Sequence, residues 1–304
     1  MISICIPIYN FDVNKLVVEL SRQIEMLPVK PEILLIDDAS SESFKAINRE
    51  TCQKHCYVEL VQNVGRAAIR NLFLNYAKYD YLLFLDCDSV VIQDDFIAAY
   101  LVAIKELHPM VVCGGRVYDE ELPDRNHRLR WKFGIERESQ SSDTRMLNPN
   151  KSFMTNNFIV KRSLLESVKF DDRLKDYGHE DTLFGFELKK RKIVITHINN
   201  PVLNGDVEEN ALFFEKTEYG IANLAKILRI VNYNTYFVED VKILAFHRMM
   251  KKWSLSMLIL WMFWWLRRPI KWLLIKGYVY LPLFDFYKLG LLIQKENSRT
   301  AQNE

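Results

Sequence analysis

A wholly apolar run near residue 85 ends in two carboxylates. Tyr81 to Leu85 is followed by Asp86 and Asp88, with Cys87 between them. Such a run predicts a buried parallel strand, and ligands bind at the carboxyl ends of such strands. Where the strand breaks into a loop, both carboxylates can turn toward one cation, and oxygen ligands suit Mg²⁺ or Mn²⁺. Because a lone Asp-x-Asp is also typical of an ordinary turn, the neighbouring segments must decide.

Short apolar runs and amphipathic helices alternate along the first 200 residues. Strands are predicted at 3–8, 32–36, 57–61 and 81–85, and helices at 12–26, 41–49 and 66–78. This alternation predicts an α/β fold, a mostly parallel sheet with helices on both faces. Functional side chains should then cluster where strands end, as Tyr9, the Asp37-Asp38 pair and the Asp86/Asp88 pair do.

Five segments together resemble the successive motifs of family 2 glycosyltransferases with the GT-A fold. They are Ile4 to Asn10, Ile33 to Ser40, Asn63 to Asn71, Phe84 to Asp88 and Tyr177 to Asp181. Each segment alone is a weak signal, but their order and spacing are specific, and the resemblance extends over roughly residues 1 to 200, about two thirds of the chain. The resemblance implies a Rossmann-like GT-A catalytic domain, placed at residues 1–205, that takes a sugar from a nucleotide-sugar donor, with UDP-sugars preferred.

The ends of the first two strands supply candidates for binding the nucleoside. Tyr9 offers an aromatic face and Pro7 a rigid edge to the base, while Asp38 can accept a hydrogen bond from a uracil ring N–H. The resemblance assigns the base contact to Asp38 and support of the loop to Asp37. A half-buried aromatic residue and a pair of helix-capping acids are the alternative interpretations.

The segment from Gly65 to Asn71 opens a helix with small residues that allow close approach of backbone to a ligand. A helix amino terminus also favours anions. Arg70 can either reach the donor diphosphate or brace the aspartate loop. Arg66 stands where the family tolerates variation, so only Arg70 is carried over as a donor-binding residue.

Departure of a nucleoside diphosphate requires neutralisation of its growing negative charge, which a bound cation provides. Asp88 is the expected direct ligand of Mn²⁺ or Mg²⁺, and Asp86 contacts the metal, a metal-bound water or the ribose. Asp181 is the expected general base for the acceptor hydroxyl, with Glu180 binding the acceptor or fixing the loop. A single base acting opposite the leaving group predicts inversion at the anomeric carbon. Acids in a first helical turn are also ordinary capping chemistry.

One position departs from the family pattern. Many relatives carry a histidine that joins the metal after the last sheet strand, where this chain has Asn204. An amide oxygen binds divalent ions weakly, so a weaker metal site or a slow or inactive enzyme stays open. His197 is close in sequence, but it falls in a strand pattern and is expected to be a core histidine.

The overall composition has no large excess of positive charge that would attract nucleic acid. Of the 304 residues, 41 are basic and 39 acidic, which gives a net charge of +2, so no nucleic-acid partner is expected. The odd cysteine count, five, favours free thiols in a reducing cytosol. The amino terminus begins as a strand without a basic leader, so no signal peptide is expected.

Residues 119 to 150 are polar and aperiodic, which predicts a long loop whose arginines line an acceptor cleft or are solvated.

Residues 206–304 are expected to form a helical, membrane-associating region. Trp253 to Leu266 is an apolar stretch of 14 residues flanked by Lys251-Lys252 and Arg267-Arg268. Such a stretch is too short to cross a hydrocarbon core of about 30 Å. Its four tryptophans and flanking cations predict an element lying in the membrane interface, with a core helix or a dimer contact as the alternatives. The expected location is the cytoplasmic face of the cell membrane.

Membrane attachment would suit an enzyme whose saccharide acceptor is carried on a lipid. The predicted role is therefore in the synthesis of a surface polysaccharide. Two other functions stay open. A nucleotidyltransferase would need a glycine- and lysine-rich loop after the first strand, and Pro7 to Phe11 has neither. A catalytically degenerate, membrane-bound nucleotide-binding scaffold would keep the sheet and the helices without turnover, which the Asn204 departure permits.

Overall fold

The computed structural model describes residues 1–175 and 177–300 of the chain, the last three without their side chains. Residues 301–304, the end of the predicted carboxyl-terminal region, lie outside this part. The strands are β1 (Ile2–Ile8), β2 (Glu32–Asp37), β3 (Cys56–Glu59), β4 (Tyr81–Leu85), β5 (Ser89–Val91), β6 (Val111–Cys113), β7 (Arg116–Val117), β8 (Asn157–Lys161), β9 (Thr196–His197) and β10 (Val202–Asn204). The helices are α1 (Asn14–Met26), α2 (Glu42–Thr51), α3 (Arg66–Leu72), α4 (Phe96–Leu107), α5 (Arg128–Phe133), α6 (Ser142–Met146), α7 (Arg162–Ser167), α8 (Glu180–Lys190), α9 (Asn210–Ile230), α10 (Thr235–Asp240), α11 (Lys242–Lys252), α12 (Ser256–Ile275) and α13 (Leu281–Thr300).

A seven-stranded sheet in the order β3-β2-β1-β4-β8-β6-β9 forms the centre of the amino-terminal part. Strands β2 and β4 both pair in parallel with β1, and β8 runs antiparallel to β4 and β6. The α/β fold with a mostly parallel sheet is therefore confirmed. A second sheet, β5-β10-β7, brings Asn204 opposite Ser89 in register.

Alternating side chains of the sheet fill two separate apolar cores. On one face, Ile4, Leu83 and their neighbours pack against α1 and α4. On the other face, Phe84 and Phe158 pack against α3, α7 and α8. Helices therefore cover both faces, and the polar ends of the strands are left at the carboxyl edge of the sheet.

The chain divides into two compact units. Among the described residues, the first unit comprises 1–119, 137–175 and 180–206, and the second comprises 120–136, 177–179 and 207–300. The sequence prediction placed a single boundary at residue 205. The structure divides the chain after Asp206 and also assigns two internal segments to the second unit, because their partners are helices that follow much later in the chain.

The second unit has its own aromatic core. Phe214 of α9 packs against Tyr287 of α13 with ring centres 4.7 Å apart, and Phe263 of α12 packs against the same tyrosine at 5.2 Å. Phe263 is thus buried, although its place in the apolar stretch groups it with the tryptophans. None of the described helices is long and apolar enough to cross a membrane.

The polar segment 119–150 is not the long loop predicted from its composition. It contains α5, α6 and a π-helical turn, Gly134–Glu138, whose short lengths leave little periodicity to detect. In the second unit, the Arg130 guanidinium lies 5.0 Å from the centre of the Phe213 ring. In the first unit, Arg145 is buried rather than lining a cleft, and it donates to backbone carbonyls, those of Cys113, Gly114 and Ile198.

Arg145 also fixes His197. Its Nη1 donates to His197 Nδ1 at 2.8 Å, and His197 Nε2 donates to the Pro149 carbonyl at 2.9 Å. Burial, the largest cause, together with the nearby Arg145 charge, lowers the pKa of His197 to about 4, although the Pro149 contact acts in the opposite direction. His197 is therefore neutral and hydrogen-bonded on both nitrogens, as expected for a core histidine.

We predict that Arg145→Met lowers the free energy of unfolding by about 3 kcal/mol or more, because several buried carbonyls lose their donor at once. Arg191→Met, at an exposed position of the same unit, should change that free energy by less than about 0.5 kcal/mol. Urea unfolding of both variants measures the difference. Equal stabilities would mean that Arg145 does not hold these segments together.

Candidate active site

The carboxylate at the end of β4 is held by two arginines. Asp86 Oδ1 lies 3.2 Å from Arg70 Nη2, and Asp86 Oδ2 lies 3.4 Å from Arg116 Nη2. Both oxygens of Asp86 therefore face a guanidinium, which fits an organising role or a contact to a hydroxyl better than direct metal ligation. Its predicted roles as a metal ligand and in donor binding stay predictions.

Arg70 joins the sheet edge to the start of α8. The side chain is 2% exposed, and its Nη1 lies 3.5 Å from Glu180 Oε1. The same nitrogen donates to the Arg66 carbonyl at 3.0 Å, and the guanidinium lies 5.7 Å from the centre of the Phe170 ring. Of the two roles left open by the sequence, reaching the diphosphate and bracing the aspartate loop, this geometry matches the brace.

Asp181 follows Glu180 in the first turn of α8. Burial raises its pKa to about 6, with the Glu180 charge as the second cause, while hydrogen bonds from Thr182 and the charge of Arg70 act in the opposite direction. The backbone N–H of Thr182 donates to Asp181 Oδ1 at 2.6 Å. One oxygen is thus fixed by the helix backbone, and a carboxylate with this pKa can accept a proton near neutral pH.

Asp88 lies in the turn between β4 and β5. Burial, and secondly the charge of Asp86, raises its pKa, whereas Arg116 and Arg66 lower it. The backbone N–H of Gly205 donates to the Asp88 carbonyl at 3.3 Å. This contact brings the end of β10 beside the aspartate turn.

Asn204 therefore lies where the sequence pattern expected a metal-binding side chain. It precedes Gly205 and pairs in register with Ser89, which follows Asp88 directly. The Asn204 side-chain N–H donates to the Asp206 carbonyl at 3.1 Å. Its oxygen is the atom suited to a cation.

The predicted nucleoside-binding acids are tied into their loops. Asp37 accepts hydrogen bonds from the Ser40 backbone N–H and the Tyr57 hydroxyl, in keeping with support of the loop. Asp38 accepts from two further backbone N–H groups, those of Val64 and Gly65, at 2.7 and 3.1 Å. Base recognition by Asp38 stays a prediction.

The aromatic face expected for the base is accessible. Tyr9 is 55% exposed at the end of β1, and Pro7 within the strand is half-buried. The adjoining loops are locked together, because Asn10 N donates to Ser40 Oγ and Ser41 N donates to Asn10 Oδ1, both at 2.8 Å. The roles of Tyr9 and Pro7 toward a base remain untested predictions.

Arg116 belongs to the site, although the sequence did not single it out. It bridges Asp86 and Glu138, and the Tyr118 hydroxyl donates to Glu138 at 2.5 Å. A two-residue strand gives no periodic signal, and the Gly114-Gly115 pair before Arg116 is the local feature that could have indicated a turn here.

Asn156 is a second residue that the sequence did not indicate. Its carbonyl accepts from the backbone N–H of Asp86 at 3.0 Å, so it lies directly beside the end of β4. The residue is buried, and its side-chain amide has no hydrogen-bond partner within the described part of the chain. No local pattern distinguishes it from the other asparagines before β8.

Within the described residues, no group of three or more His, Cys, Asp or Glu side chains is arranged to hold a metal ion by itself. A cation at this edge must therefore take other ligands from amide oxygens, water or substrate. That requirement is ordinary for Mg²⁺, which usually keeps several waters and binds one or two carboxylates together with substrate phosphates.

Several curated proteins match part of the chain. It is 27% identical over 191 residues to a chondroitin synthase of Pasteurella multocida, a match covering 52% of this chain and 20% of that protein. It is 24% identical over 205 residues to the minor teichoic acid biosynthesis protein GgaB of Bacillus subtilis, covering 62% and 21%. The chain thus matches about a fifth of the length of these relatives.

Solved structures share the fold at low sequence identity. A mannosyltransferase of Pyrobaculum calidifontis, in complex with GDP-Man and Mn²⁺, aligns over 100% of this chain and 87% of its own with a TM-score of 0.57 and 14% identity. A glucosyl-3-phosphoglycerate synthase of Mycobacterium tuberculosis, in complex with Mg²⁺ and UDP, aligns over 75% and 78% with a TM-score of 0.53 and 14% identity. These neighbours have the GT-A fold expected from the sequence.

The model of the family described as glycosyl transferase family 2 matches residues 3–169, more than half of the chain. This span includes the Asp37-Asp38 pair, the Asp86/Asp88 turn and Arg70, and the order of motifs in the sequence agrees with it. The chain therefore belongs to glycosyl transferase family 2.

Proposed function

We propose that the protein is an inverting glycosyltransferase that moves a sugar from a UDP-sugar to a hydroxyl of a saccharide acceptor. One observation carries the proposal. Arg70 contacts both Asp86 and Glu180, so the end of β4 is joined to the turn that holds Asp181. Donor-binding and proton-accepting groups thereby meet at one edge of the sheet.

Asp181 acts as the general base. Its raised pKa keeps it both ionised and basic near neutral pH, so it removes the proton as the acceptor oxygen attacks the anomeric carbon. The diphosphate leaves from the opposite side, which inverts the anomeric configuration. Glu180 is paired with two arginines and orients the turn rather than taking the proton.

The residues present fit a divalent cation. The ion pairs and charges at this edge set three arginines against five carboxylates, namely Arg66, Arg70 and Arg116 against Asp86, Asp88, Glu138, Glu180 and Asp181. Asp88 and the Asn204 amide oxygen would hold the ion, and both offer the hard oxygen donors that Mg²⁺ and Mn²⁺ prefer. Bound there, the ion would supply Lewis acidity that neutralises the departing diphosphate.

The acceptor class is inferred from the relatives and from the second unit. The matched relatives carry the names of chondroitin and teichoic acid synthesis proteins, which supports a saccharide or related polymer as the acceptor. We propose a lipid-linked oligosaccharide in surface polysaccharide synthesis, because the second unit presents a surface suited to a membrane.

That surface is the outer face of α12. Four tryptophans are each about 60% exposed on it, namely Trp261, Trp264, Trp265 and Trp272. Phe263 and Leu274 of the same helix are buried in the unit. The helix therefore separates its rings into a buried face and an exposed one.

Two exposed cations accompany the exposed rings. Arg268 follows Trp264 by four residues, and Lys276 follows Trp272 by four at the end of the helix, so both share the face of the tryptophans. Tryptophan rings with cations at helical spacing are suited to the boundary between headgroups and acyl chains. We therefore propose peripheral attachment to the cytoplasmic face of the cell membrane. A dimer contact is the competing occupant of this face, and vesicle binding distinguishes the two.

Asp88→Ala should abolish the stabilisation that Mn²⁺ adds to UDP binding, because the main protein ligand of the ion is lost. Thermal shift with UDP, with and without Mn²⁺, measures this effect. Asp172→Ala, at an exposed position of the same unit, should behave like the wild type. A full Mn²⁺ effect in Asp88→Ala would remove Asp88 from the metal site.

Asp181→Asn should bind UDP normally and lose sugar transfer by about 10² to 10⁴, the usual contribution of a general base. In the wild type, kcat should fall as the pH drops through about 6, because the protonated carboxyl cannot accept the acceptor proton. The pH dependence of single-turnover transfer measures both effects. Near-normal transfer by Asp181→Asn would assign the base elsewhere. A wild type that transfers sugar and a variant that does not would exclude the non-catalytic scaffold.

Replacing Trp261, Trp264, Trp265 and Trp272 by Ser should release the protein from vesicles that contain anionic lipid, because the rings that enter the interface are gone. Removal of residues 251–304 would be a less specific test of membrane binding, because it also removes Phe263 and Tyr287 from the core of the second unit. The control replaces three exposed tyrosines of that unit by Ser, namely Tyr219, Tyr233 and Tyr236. Co-sedimentation measures binding, and a wild type that ignores vesicles but dimerises through α12 would contradict membrane attachment.

A further inference from the structure

Arg66 stands between the groups assigned to the two ends of the donor. Its backbone follows Val64 and Gly65, whose N–H groups are held by the Asp38 carboxylate. Its carbonyl accepts from Arg70 Nη1 at 3.0 Å. The start of α3 is therefore held by Asp38, the acid assigned to the nucleoside, and by Arg70, which contacts the acids of the proposed catalytic site.

The side chain of Arg66 extends toward the catalytic acids. It is 49% exposed, and its Nη1 lies 3.9 Å from Glu180 Oε1, which is an ion pair beyond hydrogen-bond length. Arg66 thus combines access to solvent with closeness to the turn that bears Asp181, while Arg70, which donates to the Arg66 carbonyl, contacts Asp86 at the aspartate turn.

In a nucleotide sugar, the group between the nucleoside and the sugar is the diphosphate. We propose that Arg66 binds the β-phosphate of the donor and of the departing UDP. The proposal rests on the proposed function and deepens it. A guanidinium offers five N–H donors in a planar fork, so Arg66 can contact a phosphate while it remains near Glu180.

Arg66 and Arg70 then have different roles, although they lie one helical turn apart. Arg70 is enclosed and holds Asp86 and Glu180 in position, whereas Arg66 is accessible and meets the ligand. Arg70 was the donor-binding arginine expected from the sequence of this segment. The exposure of the two side chains favours Arg66 for contact with the diphosphate.

The test compares ligands that differ only in their phosphates. Binding of uridine, UMP and UDP to the full chain is measured by calorimetry for the wild type, Arg66→Ala and Arg66→Lys, with and without Mn²⁺. Arg66→Ala should lose about tenfold in UDP affinity and less than about twofold for UMP and uridine, because only UDP carries the β-phosphate. Arg66→Lys should recover part of the loss, since it keeps the charge without the fork.

Arg22→Ala is the matched control, because Arg22 is 44% exposed and also ion-paired in the first unit. It should leave all three affinities unchanged. Equal losses for uridine, UMP and UDP in Arg66→Ala would indicate a purely structural role and overturn the proposal. Unchanged UDP affinity would overturn it too. A wild type that binds none of the three ligands would instead refute the UDP-sugar donor, whereas a wild type that binds UDP more tightly than uridine, with no selective loss in Arg66→Ala, would refute the Arg66 assignment alone.

Discussion

The buried guanidinium of Arg70 is the contact on which the site depends. A charge enclosed in this way is stable only when its partners are present, and here those partners are Asp86 and Glu180. One lies at the end of β4 and the other begins α8, so a single side chain fixes the distance between two segments that are far apart in the sequence. Loss of either carboxylate would leave the guanidinium buried without full compensation.

This constraint also divides the carboxylates by function. Asp86 and Glu180 are occupied by arginines, while Asp88 and Asp181 have pKa values raised mainly by burial. A bound cation stabilises the charged form of a half-buried carboxylate whose pKa is raised. A carboxylate with a pKa of about 6 can accept a proton near neutral pH. We therefore assign metal binding and proton transfer to the two acids that the arginines leave less fully neutralised.

The fold was predictable where the sequence pattern is local. Tyr81 to Leu85 is a buried strand in the structure because an uninterrupted apolar run has no solvated face, and Glu180 and Asp181 lie in a first helical turn as the pattern after them indicates. The loop prediction for 119–150 was wrong because helices of five or six residues carry too few turns to show a period. The contacts of Arg145 and Arg116 were unpredictable for another reason. Their partners come from distant parts of the chain, and no local pattern records such contacts.

We propose above all that a donor diphosphate and its cation meet at Asp88, with Asp181 facing the sugar. Anomalous diffraction at the manganese edge, from crystals grown with Mn²⁺ and UDP, tests this arrangement most directly. The expected result is a manganese peak at the Asp88 carboxylate, with the diphosphate beside it. The Asp181 carboxylate should lie on the side of the β-phosphate to which the sugar of an intact donor is attached. A manganese peak away from Asp88, or an Asp181 carboxylate turned away from the diphosphate, would contradict it.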